Sequence, residues 1–157
     1  AEQGDADAQY NLATMYDEGK GVPVNDQEAV KWYTKAAEQG DAVGQYNLAL
    51  MFYNGEGVLQ DDKEAVKWYT KAAEQGDADA QYGLGVMYDN GAGVPQDYGM
   101  AHMWFNISST NVFDQFQEYG AAFFRTAVLE DMTPEEISKA TAMARECMAS
   151  DYKKCGY

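Results

Sequence analysis

Apolar and small side chains recur along the chain at the spacing of amphipathic helices. In one stretch they fall at i, i+4, i+7 and i+8, as Ala8, Leu12, Met15 and Tyr16. In the next stretch the corresponding set is Ala29, Trp32, Tyr33, Ala36 and Ala37, and Asp26 is the expected N-cap. Side chains at these spacings lie on one face of an α-helix. The pattern therefore predicts two helices, called A and B, that pack on each other through these faces.

The helix pair repeats with a fixed period. The segment "EAVKWYTKAAEQGDA" at 28–42 recurs unchanged at 64–78, an offset of 36 residues, and the aromatic pair returns as Trp104 and Phe105. A period of this length with two helical patterns in each unit is typical of solenoids. We predict an all-α fold over residues 1–157, a right-handed α-solenoid of antiparallel helix pairs that forms a single domain.

The predicted repeats cover 1–36, 37–72 and 73–108, and a C-terminal helical cap covers 109–157. In the cap, Thr133, Pro134 and Glu136 have the order of an N-cap, an N1 proline and a capping box, which predicts the start of a final helix. At the other end, "AEQGDA" at 1–6 returns at 37–42 and 73–78, where one repeat ends and the next begins. We therefore expect the sequence to be a fragment of a longer chain.

The glycine-rich stretch "YDEGKGVPVN" at 16–25 is similar to a phosphate-binding loop, but its two copies argue against that function. Lys20 is replaced by Glu56 in one copy and by Ala92 in the other, whereas both glycines persist. The loop also joins two helices, and a nucleotide-binding glycine motif joins a strand to a helix. We interpret it as a turn that ends helix A with a left-handed glycine. The glycines concerned are Gly19, Gly55 and Gly91.

The charge of the chain excludes some classes of partner. Its formal net charge is −15, from 26 acidic and 11 basic residues. Nucleic-acid phosphates and anionic lipids are bound by basic surfaces, which this composition does not favour. No apolar run approaches the roughly 20 residues that span a bilayer. We therefore expect neither a nucleic-acid partner nor direct membrane insertion.

The two cysteines, Cys147 and Cys155, leave two interpretations open. If one helix ran through both residues, they would be about 12 Å apart, beyond the roughly 7 Å limit for a disulfide. A bridge therefore requires the chain to turn back near Ser150 and Asp151. We favour the disulfide, which would indicate an oxidising compartment, whereas two free thiols would suit the cytoplasm.

The helix A segment "LATMYDEGKGVP" and the helix B segment "EAVKWYTKAAEQGDA" resemble the Sel-one-like repeat (SLR) family, a branch of the tetratricopeptide-like helical repeats. All three predicted repeats carry the resemblance, and the "MTPEEI" tail is similar to the usual ending of the family. The resemblance implies an adaptor or scaffold that binds other proteins. Together with the cysteine pair it favours a periplasmic or secreted protein of a bacterial envelope over a cytoplasmic one. It implies neither an enzyme nor a cofactor.

The resemblance also implies a partner-binding concave face lined by helix A, on the side that faces away from helix B. The middle repeat is the most apolar there, because Leu50 replaces Thr14 and Tyr53 replaces Asp17. We therefore expect a protein or peptide partner with an apolar anchor and basic flanks. An alternative is that the tyrosines only pack on each other inside a tight superhelix. The candidate partner-binding residues are Tyr10, Asn11, Thr14, Asp17, Val43, Tyr46, Asn47, Leu50, Tyr53, Tyr82, Val86 and Asp89.

Catalytic and metal-binding patterns are not evident. His102 is the only histidine and stands where the other repeats have valine, which favours a structural role. Acidic pairs at helix starts are explained by capping and the helix dipole. We therefore expect no catalytic residue and no metal site. The alternative function is an enzyme or small-molecule receptor with its site in the cap, where Arg125 beside Phe123 and Phe124 is the only cue.

Overall fold

A computed structural model describes the backbone of residues 4–111 and 115–155, and the side chains of residues 4–110 and 121–155. Within these ranges the chain forms α-helices, one short 3-10 helix and no β-strand, which confirms the all-α prediction. In chain order the helices are α1 (Ala6–Glu18), α2 (Asp26–Glu38), α3 (Ala42–Asn54), α4 (Asp62–Ala73), α5 (Ala78–Asn90), α6 (Tyr98–Asn111), α7 (Gln115–Ala127) and α8 (Pro134–Ala149). The 3-10 helix, Val128–Asp131, lies between α7 and α8.

The helix starts follow the repeat. Helices α1, α3 and α5 begin at residues 6, 42 and 78, and helices α2, α4 and α6 begin at 26, 62 and 98. Helix A and helix B of the three repeats are therefore α1 with α2, α3 with α4, and α5 with α6. Helix α8 begins at residue 134, one further period after α6, so the cap retains the spacing of a helix B. The predicted α-solenoid class of antiparallel helix pairs is confirmed.

Aspartates begin each helix A. Asp5, Asp41 and Asp77 are the N-caps of α1, α3 and α5, and each side chain accepts a backbone N–H of the first turn. At the start of α2, however, the N-cap is Asn25, whose Oδ1 accepts the Glu28 N–H at 3.1 Å, and the expectation that Asp26 is the cap is wrong. Asparagine and aspartate cap a helix about equally well, because either side-chain oxygen can accept this bond.

Each helix A ends, as predicted, at a left-handed glycine. Gly19, Gly55 and Gly91 have φ of 70°, 72° and 68°. A second glycine in each loop is also left-handed, and in the middle repeat this residue is Gly57. A Cβ atom on Gly57 would lie 2.4 Å from the backbone carbonyl of Asp26 at the start of α2. The middle loop therefore packs directly on backbone and has no room for a side chain at this position.

The chain divides into two compact units, Ala1–Ala72 and Ala73–Tyr157. In the first unit, α1 packs on α2, and α2 packs on α3. The aromatic pairs of helix B are buried, as predicted, with Trp32 at 8% exposure and Tyr33 at 2%. Lys35 places its ammonium 3.9 Å from the centre of the Trp32 ring, and Lys71 lies 4.2 Å from the Trp68 ring. A lysine ammonium group therefore lies over the face of each of these indole rings.

In the second unit, α6 packs on α5, α7 and α8. Trp104 and Phe105 on α6 are fully buried. The ring of Phe105 takes the space of a side chain on α5, because a Cβ atom on Gly85 would lie 2.5 Å from it. The other repeats have alanine at this position, as Ala13 and Ala49, and tyrosine at the position of Phe105, as Tyr33 and Tyr69.

The end of α8 turns back on itself. After Ala149, Asp151 and Tyr152 take left-handed backbone conformations with φ of 55° and 59°. The turn brings Cys155 to Cys147, and the two form a disulfide with their Cα atoms 4.5 Å apart. Both cysteines are buried. This is the turn near Ser150 and Asp151 that the bridged interpretation requires.

Candidate partner-binding surface

In the first repeat, three of the candidate residues, Tyr10, Thr14 and Asp17, contact Tyr33 on helix B. The Tyr33 hydroxyl donates to Oδ2 of Asp17 at 3.2 Å and lies 3.4 Å from Oγ1 of Thr14. The rings of Tyr10 and Tyr33 are 5.9 Å apart. Burial raises the pKa of Tyr33 far above its ordinary value. The expectation that Tyr10, Thr14 and Asp17 face away from helix B is therefore wrong, because the long Tyr33 side chain reaches across to them.

The middle repeat keeps the aromatic contact and loses the polar ones. The Tyr46 and Tyr69 rings are 5.9 Å apart with an interplanar angle of 46°, the same geometry as the corresponding pair in the first repeat. At the positions of Thr14 and Asp17, however, this repeat has Leu50 and Tyr53. Burial again raises the pKa of Tyr69 far above its ordinary value, and the nearby Tyr46 and Tyr53 add to the rise. The environment of the Tyr69 hydroxyl is therefore more apolar.

Helix α3 carries no charged residue, whereas α1 and α5 each carry carboxylates. Val43 at its start is 45% exposed. Tyr46, Leu50 and Tyr53 are half-buried, which leaves part of each side chain accessible. Asn47 lies among them and donates from Nδ2 to the carbonyl of Val43 at 2.9 Å. Asn11, its counterpart on α1, is exposed.

In the third repeat, the candidate residues Tyr82 and Val86 contact the protein's own cap. Both pack against the buried cluster formed by Ala101, Phe105 and Val128. The Tyr82 ring also meets the Phe124 ring of α7 edge-on, with centroids 5.7 Å apart. In this repeat, Tyr82 therefore packs largely against its own unit. This agrees with the alternative in which the tyrosines only pack inside the fold.

The sequence cue for a site in the cap has a structural explanation. The Arg125 guanidinium donates from Nη1 to Oδ1 of Asn106 at 3.3 Å and to Oγ of Ser109 at 3.4 Å. These bonds fasten α7 to α6. His102 is buried, and its Nδ1 lies 3.3 Å from the Arg125 carbonyl oxygen. Burial lowers the pKa of His102, although the bond to the carbonyl opposes the shift.

The structure shows a cleft in the second unit that no sequence pattern indicated. It has a volume of about 760 Å³ and lies between the start of α6, the end of the 3-10 helix and the first half of α8. Its lining comes from three segments that are distant in the sequence and share no motif, so pattern analysis could not join them. Methionines and charged residues of these segments line it, among them Met100, Asp131, Met132, Lys139 and Met143.

Among residues 4–111 and 115–155, no group of histidine, cysteine, aspartate and glutamate side chains could hold a metal ion. None of the helices in the same ranges combines the length and the apolar character that crossing a membrane requires.

The repeated helix pairs, the left-handed glycine loops and the aromatic core of helix B define an α-helical repeat protein of the solenoid class. The family described as "Sel1 repeat" matches residues 6–41, 42–77 and 78–111, and the chain belongs to this family. These boundaries follow the starts of α1, α3 and α5. Proteins of the family are generally protein-interaction scaffolds and generally not enzymes.

Several solved structures are similar to the chain. A Sel1 repeat protein from Oxalobacter formigenes is 34% identical with a TM-score of 0.68, over 77% of this chain and 90% of that one. The protein c5321 of uropathogenic Escherichia coli, described as a protective antigen displaying an SLR fold, is 31% identical with a TM-score of 0.64. That match covers 96% of this chain and 40% of the other, so this chain spans less than half of c5321. No curated protein sequence matches.

Proposed function

We propose that the protein is a non-catalytic interaction scaffold that binds a peptide or protein partner on helix A, with the site centred on α3. The observation that carries the proposal is the uncharged surface of α3, where Val43 is 45% exposed and Tyr46, Leu50 and Tyr53 are partly accessible. An accessible apolar strip is costly in water unless another surface covers it. Partly buried tyrosines are also suited to binding, because their rings are large, rigid and amphipathic.

We expect the first repeat to provide an acidic flank for this site. Asp17 is half-buried and Glu18 is exposed at the end of α1, whereas α3 has no charge of its own. Carboxylates beside an apolar strip attract a partner with basic residues beside its apolar anchor. The net charge of −15 acts in the same direction at long range. We assign Tyr10, Asn11, Thr14, Asp17 and the α3 residues to this site. Tyr82, Val86 and Asp89 are its counterparts in the third repeat.

We also propose a cellular compartment for the scaffold. The disulfide between Cys147 and Cys155 supports an oxidising environment, and two of the similar solved structures are bacterial. We therefore place the scaffold in the periplasm or outside a bacterial cell.

The test is quantitative binding of a partner obtained by affinity capture with the purified chain. After the partner is identified by mass spectrometry and purified, its affinity is measured for the wild type and for Val43→Asp. Val43 is exposed, so the substitution should leave folding intact, while a buried charge at the interface should weaken binding by about 30-fold or more. The triple variant Tyr46→Ala, Leu50→Ala, Tyr53→Ala should abolish measurable binding if circular dichroism shows that it folds.

A matched control removes exposed apolar surface elsewhere. Val24 and Leu59 are 62% and 91% exposed and lie in the loops that follow α1 and α3. The double variant Val24→Ser, Leu59→Ser should bind the partner as the wild type does. If this control loses affinity as strongly as Val43→Asp, the binding depends on non-specific apolar contacts, and the assignment to α3 is wrong.

A further inference from the structure

The cleft in the second unit has the size and floor of a ligand site. Its volume of about 760 Å³ lies within the range of roughly 300–1,000 Å³ that small-ligand pockets occupy. Met100 and Ala140 are buried at its base, and Met132, Met143 and Tyr98 are half-buried along it. Methionine side chains are flexible and polarisable, so a floor of this kind adapts to apolar groups of different shapes.

The rim of the cleft is acidic. It carries the carboxylates of Asp97, Asp131 and Glu136 and the single ammonium group of Lys139, all of them exposed. Asp97 accepts the N–H of Met100 and Glu136 accepts from Thr133, so both carboxylates are held in place. Negative charge therefore surrounds an apolar floor.

Asp131 and Lys139 differ from the other two charged groups of the rim. In the part of the chain that the structure describes, neither side chain makes a hydrogen bond or an ion pair. The negative charge of Asp131 nevertheless acts on Asp89. Burial raises the pKa of Asp89, and the charge of Asp131 adds to the rise. A cationic group entering the cleft would meet three carboxylates and one ammonium group, a balance that favours its binding.

We propose that this cleft binds a short peptide segment in which a basic residue stands next to an apolar one. The apolar side chain contacts Met132 and Met143, and the basic group pairs with Asp131 at the rim. The site lies wholly within the second unit and does not depend on the proposed binding surface of α3. Failure of either proposal therefore leaves the other intact.

The methionines of the cleft provide a direct readout. The chain is labelled with ¹³C on the methionine methyl groups, and the tetrapeptide Ac-Leu-Arg-Leu-Arg-NH₂ is titrated into it while methyl spectra are recorded. The signals of Met132 and Met143 should shift and saturate. Met15, which is 37% exposed in the first unit, should not shift and serves as the internal control. Two matched peptides, with both arginines replaced by glutamate or both leucines replaced by serine, should bind at least about five-fold more weakly.

Substitutions at the rim test the charge argument. Asp131→Asn should weaken binding of Ac-Leu-Arg-Leu-Arg-NH₂ about two- to five-fold, and Lys139→Gln should strengthen it by a similar factor. Glu135→Gln is the control, since Glu135 is exposed on α8 and does not line the cleft. The proposal is overturned if the cleft methionines do not shift or if the glutamate peptide binds equally well. It is also overturned if the rim variants behave as the control does, or if argininamide alone binds as tightly as the tetrapeptide, which would indicate a small-amine site.

Discussion

Replacing Gly85 with alanine is expected to destabilise the second unit, because no space exists for the added methyl group. The new Cβ atom would lie 2.5, 2.6 and 2.9 Å from three ring atoms of Phe105. The ring cannot easily move away, since it is fully buried and packs against Phe124 and Tyr82 at centroid distances of 5.7 and 5.6 Å. Either the ring or the helix backbone must therefore shift.

The expected change in unfolding free energy of Gly85→Ala follows from two opposing effects. Overpacking of a well-filled core costs about 1–3 kcal/mol, and three close contacts with a confined ring place Gly85→Ala near the upper end. Alanine in place of glycine inside a helix stabilises that helix by about 1 kcal/mol, because its helix propensity is higher. The net loss of unfolding free energy should be about 2 kcal/mol. For a chain of this length, such a loss lowers the melting temperature by roughly 4–8 °C.

The assay is thermal and urea unfolding, followed by circular dichroism, of a double-mutant cycle. It compares the wild type, Gly85→Ala, Phe105→Leu and the double variant. Leucine lacks the Cε1 and Cζ atoms that clash, and its smaller side chain can turn its Cδ methyl groups away. Gly85→Ala should therefore cost little in the Phe105→Leu background. Gly83→Ala on the same helix is the control. The other repeats have asparagine at its position, so it should be neutral or stabilise by up to about 1 kcal/mol.

Two results would refute this reasoning. One is a Gly85→Ala variant at least as stable as the wild type, which would mean that Phe105 adapts at no cost. The other is an equal loss with and without Phe105→Leu, which would place the strain elsewhere.

Two further predictions concern the disulfide and His102. Reduction of the Cys147–Cys155 disulfide should lower the unfolding free energy by about 2.5 kcal/mol in the chain-entropy model, as measured by urea unfolding with and without reductant. The double variant Cys147→Ala, Cys155→Ala should not respond to reductant. Burial lowers the pKa of His102 below its ordinary 6.5, so the unfolded chain binds a proton that the folded protein excludes. Its contribution to stability should be present above about pH 6.5 and lost below it, and His102→Val should show a smaller fall in unfolding free energy between about pH 7.5 and 5.5.

The fold was largely predictable from the sequence because its determinants are local. The spacing of Ala29, Trp32 and Tyr33 fixes one helix face, and the glycine after each helix A marks a left-handed end that few other residues tolerate. The start of α8 was predicted correctly from Thr133, Pro134 and Glu136, whose capping box is formed in the structure. Each of these signals lies within a few residues, where helix geometry determines which groups meet.

The candidate site was less predictable because it depends on the reach of side chains across helices. A helical projection gives the direction of Tyr10, Thr14 and Asp17 around α1. It does not show that the Tyr33 side chain extends from α2 to meet all three. The cleft of the second unit was not predicted for a related reason, since α6, the 3-10 helix and α8 form it together. Such arrangements follow from tertiary packing, which has no local sequence signature.

The contact of Gly57 with the backbone of Asp26 has a consequence for how such a chain can change its length. The contact joins the loop of the middle repeat to the start of helix B in the first repeat, so it fixes the spacing of adjacent modules. Duplication or deletion of a whole repeat reproduces the contact, because both partners recur with the same period. Insertion of one residue into the loop would displace Gly57 and put a Cβ atom against a carbonyl. Copy number is therefore free to vary, whereas loop length is not.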